Sequence, residues 1–129
     1  MTLPARARVE AAPRFLVCLR EVEAFFVEQD EASAPDRLRQ LRSALRTMID
    51  VLAWAPASGR PARFAASRSA RGRVVAASVL ELARGIGLPH VREYIVEQHV
   101  VLYAHSDSEV VLLALKHQRQ LAYSDPSDR

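Results

Sequence analysis

Residues 109–117, EVVLLALKH, constrain the fold more than any other stretch of the chain. The run from Val110 to Leu115 is unbroken hydrocarbon. As a strand it would present apolar side chains on both faces, and a strand of that kind needs cover on both. Two earlier segments, VREYIVE at 91–97 and HVVLYAH at 99–105, share its β-branched and aromatic bias, and SDS at 106–108 is a turn signal. The three predict an antiparallel meander, with helices covering one face of its last strand.

The first half of the chain has a different period. Phe15, Leu19, Val22 and Phe26 fall on one helical face, and Pro13 suits a first helical turn. A buried strand over RFLVCL competes locally, but the stripe continues to Phe26 and favours helix. QDEASAPD interrupts it. Ser33 followed by Asp36 resembles a capping box, and Pro35 falls in the first turn of a second helix reaching about Ala55. Its stripe is Leu38, Leu41, Leu45, Met48 and Leu52, spacing that marks core. So short a loop predicts an antiparallel helical hairpin. ARARVEA at 5–11 reads as a short edge strand or a frayed end, and APASGRPAR as an ordered turn. A third, short helix is expected from Arg73 to Gly85, with a stripe of Val75, Val79, Leu82 and Ile86 and a stop at Gly87. The fold class is therefore α+β: an N-terminal helical hairpin on a small, mostly antiparallel sheet, with an extra short helix before the C-terminal meander.

At 129 residues the chain is expected to form one domain, 1–129, with frayed ends at 1–4 and 124–129 and a mobile basic loop at 57–72. One cysteine, Cys18, excludes an internal disulfide framework and fits a reducing compartment, and it reads as buried filler. The start lacks the apolar core of a signal peptide, and no apolar run approaches the roughly 20 residues of a membrane span. The expected location is cytoplasmic. No phosphate-binding glycine loop and no metal-ligand spacing occur, so neither cofactor nor metal is expected. Charge is uneven: residues 57–80 hold Arg60, Arg63, Arg68, Arg71 and Arg73 and no acid, while 20–36 is acidic. Such a lobe suits an anionic partner, although a solvated Arg/Ala-rich loop has the same composition. Lys116 and His117 close the last strand and Arg119 and Tyr123 come just beyond it, again without an acid.

In this order the elements resemble the RelE/ParE superfamily of toxins from bacterial type II toxin–antitoxin systems. LPHVREY is similar to the family strand with a Leu/Val-Arg-Glu step, which places Arg92 on the family arginine. HVVLYA resembles the family strand that usually reads aromatic, Arg, two aliphatics, Tyr, with Tyr103 on the family tyrosine. VVLLALKHQRQLAY resembles the last strand, with its His-x-Arg step and later tyrosine, and GRPAR resembles the family's Pro/Gly loop. Val100 stands where the second strand commonly carries arginine, and the stretch 57–87 is longer than the family minimum.

The resemblance implies a growth-inhibiting toxin; of three outcomes the first is the one expected and the other two are alternatives. The first is a metal-independent mRNA endonuclease acting on the ribosome. His117 would be its base or acid, Arg119 and Arg92 its phosphate forks and Tyr123 its stacking or hydroxyl group. Lys116, which strand alternation places opposite His117, and Arg60, Arg63, Arg71 and Arg73 would touch nucleic acid or antitoxin. The second is a non-enzymatic inhibitor of DNA gyrase, and the third an inactive interaction protein. The implied partner is an antitoxin with an acidic amphipathic tail, through which alone DNA would be contacted; no membrane is involved. Each residue also has a plain structural use: His117 as a hydrogen-bonded strand end, Arg92 paired with Glu93 or Glu97, and Tyr123 packed over the sheet edge. His90, His99 and His105 read as surface residues.

Overall fold

The computed structural model describes residues 6–62, 77 and 81–117. Strand β1 (Arg8–Ala11) leads into helix α1 (Pro13–Gln29), which a short turn joins to helix α2 (Ala34–Trp54). A 3-10 turn (Pro56–Ser58) and a two-residue strand β2 (Arg60–Pro61) follow, and then β3 (His90–Val96), β4 (His99–His105) and β5 (Glu109–His117). The sheet order is β1-β5-β4-β3-β2; β1 runs parallel to β5 and every other pair is antiparallel. The expected α+β architecture is the observed one. Arg63, Arg68, Arg71, Arg73, Val75, Val79, Arg119 and Tyr123, both expected frayed ends and most of the expected mobile loop lie outside the described residues.

The two helices pack on each other, α1 along β5 and α2 against β3. Phe15, Cys18 and Phe26 of α1 are buried, as are Leu41, Leu45, Met48 and Leu52 of α2. Every residue of β4 is buried, so the centre of the sheet is β4. Full burial of a leucine such as Leu102 contributes about 2 kcal/mol relative to exposure. In β5 an irregularity pairs Leu102 with Ala114 but Tyr103 with Leu112, leaving Leu113 as an extra residue. All three β5 residues are buried, so the change of phase strands no polar group in the core. Turns set the hairpin ends. Glu97 adopts φ 57 between β3 and β4, and Ser106 Oγ accepts from the amides of Ser108 and Glu109 between β4 and β5.

Three local expectations are corrected. Ser33 does not cap α2: its backbone is already αR, its hydroxyl turns back to the Asp30 carbonyl at 3.4 Å, and Asp36 pairs with Arg39. A capping serine needs extended backbone to reach the first free amides. The stripe expected of the third helix is absent where it can be seen. Residues 81–85 are helical, but Leu82 and Ile86 are exposed while Ala83 and Leu88 are buried. Gly87 does end it: at φ 73 it lets the amides of Gly87 and Leu88 reach the carbonyls of Arg84 and Ala83, and Leu88 then turns inward. Finally, Arg60 and Pro61 form an edge strand on β3 within a stretch expected to be loop.

Candidate functional site

Cross-strand pairing divides the sheet into two faces. Arg92, Tyr94 and Val96 of β3 share one with their partners Tyr103, Val101 and His99 of β4, and His99 in turn faces His117 of β5. The helical layer covers this face: Phe26 of α1 meets His99 edge-on at 6.1 Å. The two strand ends carry the two groups of interest.

At one end, Arg92 is bound into the scaffold. Its Nε donates to His105 Nε2 at 3.1 Å and its Nη1 to the Gly59 carbonyl at 3.1 Å. Because His105 Nδ1 faces the Ser106 carbonyl at 3.0 Å, that nitrogen carries the proton and Nε2 is free to accept. Burial lowers the His105 pKa and the neighbouring His90 and Arg92 push the same way, while the Ser106 carbonyl opposes them. Tyr103 lies beside His105, its hydroxyl donating to the Pro56 carbonyl at 2.7 Å and accepting from the Gly59 amide at 2.9 Å. Burial pushes the phenol pKa up, so it remains a donor. The turn must come close for these bonds to form. A Cβ on Gly59 would lie 2.6 Å from both the Glu93 carbonyl oxygen and the Tyr103 hydroxyl, which explains the glycine of GRP. Arg60, opposite Glu93 in the register, points its Nε to that carboxylate at 3.7 Å, and Glu93 is only 1% exposed.

At the other end, His117 and Lys116 border a cavity of about 550 Å³ between α1, the start of α2 and the ends of β4 and β5. Glu21, Arg37 and His99 also line it, and Val22, Phe25 and Leu115 form its apolar wall beside Cys18. The rings of His99 and His117 meet edge-on at 5.4 Å. The Arg37 guanidinium lies 4.2 Å over the Phe26 ring and donates to Gln29 Oε1 at 2.9 Å. The His99 pKa is lowered to about 4, first by burial and then by the charges of His117 and Arg37. Its Nδ1 is buried and has no hydrogen-bond partner among the described residues.

The structure therefore does not bring Arg92 and His117 together. Their rows are four residues apart along β4, from His99 to Tyr103, or roughly 13 Å at 3.3 Å per residue. Arg92 also directs its fork to His105, farther still from His117. Lys116 and His117 both line the cavity, although strand alternation puts them on opposite faces, and Val100, at the place of the expected arginine, is buried opposite Lys116. His99 and His105 are buried, at 6% and 3% exposure, and are not the surface residues their sequence suggests. They stand at the two ends of the apolar strand VVLYA, which makes them part of the core's rim. His99 was the functional candidate hidden in the sequence; only the register reveals that it faces His117. Cys18 is buried, as expected.

Among the described residues no cluster of three or more His, Cys, Asp or Glu is placed to hold a metal, and no helix is long and apolar enough to cross a membrane. No family model and no curated protein matches the sequence. Among solved structures, a chain of the chromosomal ParDE TA system from P. aeruginosa superposes with a TM-score of 0.54 at 10% identity, over 87% of this chain and 96% of that one. At that identity the likeness concerns the backbone alone, and it supports one conclusion: the chain has a ParE-like fold.

Proposed function

We propose that this chain is the toxin of a type II toxin–antitoxin module and that it arrests growth by binding its target, as expected of a DNA gyrase inhibitor. The observation that carries the toxin reading is the match to nearly the whole length of a ParDE chain. The preference for binding over catalysis follows from Arg92. Metal-free RNA cleavage needs cations and a proton-transfer group around one phosphate. Here Arg92 is engaged with His105 and Gly59, at the other end of β4 from His117. A binding module has no such requirement. Its contact surface would be the Lys116–His117 end together with Arg119 and Tyr123, with Arg63, Arg71 and Arg73 covered by the acidic tail of a cognate antitoxin.

The mRNA endonuclease remains the second reading, because Lys116 and His117 border the same open cavity at the strand end. Expression of the full chain from a tight promoter, with and without the neighbouring reading frame, decides among these readings. The expected result is growth arrest relieved by the neighbour, with an SOS response and gyrase–DNA adducts. Arrest with mRNA cut in translating ribosomes and no adducts would replace inhibition by cleavage. No arrest in any host would overturn the toxin reading.

A further inference from the structure

The cavity at the His117 end has a lining that selects for one kind of ligand. Its volume, about 550 Å³, lies within the range of small-molecule sites. Val22, Phe25 and Leu115 give it a hydrocarbon wall. Its charged lining at neutral pH is Arg37 from α2 and Lys116 from β5 against Glu21 from α1, a net charge of plus one. His99 of β4 and His117 of β5 are its titratable imidazoles, and Cys18 of α1 its thiol. His99 is more than nine-tenths buried, yet its Nδ1 has no partner among the described residues. A buried polar nitrogen left unpaired is costly; this one is sealed from the cavity as well, so a ligand there would meet it only after the imidazole turns.

We propose that this cavity is a binding site for a carboxylate carried on a short apolar stem. The head group would take hydrogen bonds from the Arg37 fork and an imidazole N–H, and the stem would lie on Val22, Phe25 and Leu115. One negative charge matches the net charge of the lining. A phosphate dianion would exceed that net charge and leave the apolar wall bare. An amine would meet a lining of net positive charge. The site is independent of the toxin reading, since it concerns what the purified chain binds. Carboxylates of this type occur as free aliphatic or aromatic acids, and also in peptides where glutamate or aspartate adjoins an apolar residue.

The test is calorimetric titration of the purified full-length chain near neutral pH with hexanoate, hexanol and hexylammonium. Hexanoate should bind about tenfold tighter than either control, the gain expected of a charge-assisted hydrogen bond. By NMR the His99 imidazole should titrate at higher pH when loaded, because a bound anion favours the imidazolium. Arg37→Gln should lower hexanoate affinity about tenfold while leaving hexanol unchanged. Val22→Trp, which fills the cavity, should abolish binding of both; if that variant does not fold, Arg37→Gln carries the test of the head-group contact. Hexanoate binding no better than hexanol, or indifferent to Arg37→Gln, overturns the proposal. Given hexanoate binding, displacement by an end-blocked peptide carrying leucine beside glutamate would assign the site to a peptide carboxylate. Failure of that peptide to displace it would assign the site to a free acid.

Discussion

The two ends of the sheet are built from nearly the same residues and come to opposite results. Each has an arginine and a pair of neighbouring histidines, one of them buried: Arg92 with His90 and His105, Arg37 with His99 and His117. At the first, Tyr103 and the close-lying Gly59 complete a closed set of hydrogen bonds, and both nitrogens of the buried His105 are satisfied. At the second, the buried His99 keeps an orphan nitrogen beside an open cavity. Burial lowers both pKa values, but only at the first end are both nitrogens of the buried imidazole satisfied. A cation and a histidine together are therefore a poor guide to a working site. What separates a clamp from a site is whether the donors are already used.

Substitutions that open the closed end should have the largest effect. Gly59→Ala drives a methyl group into backbone as well as side chain and should cost about 3 kcal/mol in denaturant unfolding. Tyr103→Phe leaves the Pro56 carbonyl and the Gly59 amide without their partner, for a loss of about 2–3 kcal/mol. A change below 0.5 kcal/mol in either would mean that this end is not a clamp. The open end is probed by pH. The folded His99 pKa of about 4 lies below the ordinary 6.5, so below pH 6.5 the unfolded chain takes up a proton that the folded chain refuses. Stability should fall as pH drops from 6.5 towards 4, by about 3 kcal/mol from this group. His105, also lowered, adds in the same direction. His99→Phe should flatten that slope, and an unchanged slope would remove His99 from the account. The smallest effect belongs away from both ends: Arg39→Ala, which breaks only an exposed pair with Asp36, should change stability by less than about 0.5 kcal/mol.

Much of the fold was legible because its periods are clean. The stripe Leu41, Leu45, Met48 and Leu52 leaves one orientation for α2, and the three segments of the meander correspond within a residue to β3, β4 and β5. The site was less legible for three physical reasons. The bulge at Leu113 lies in a run of hydrocarbon, where a change of phase leaves no trace in the residue pattern. Arg92 has the same neighbours in sequence whether it faces a ligand or a turn; its use is decided by Gly59, thirty-three positions away. The burial of His99 and His105 depends on β4 lying at the sheet's centre, a property of strand order that local composition does not carry.

The division of labour between the two ends is tested most directly by measuring growth arrest and unfolding stability together in Arg92→Gln and in the double variant Lys116→Ala/His117→Ala. Arg92→Gln should lose about 1–2 kcal/mol and still arrest growth wherever it remains folded. The double variant should stay within about 1 kcal/mol of the parent and fail to arrest. A folded Arg92→Gln chain that is harmless, or a double variant that arrests growth like the parent, would contradict the account.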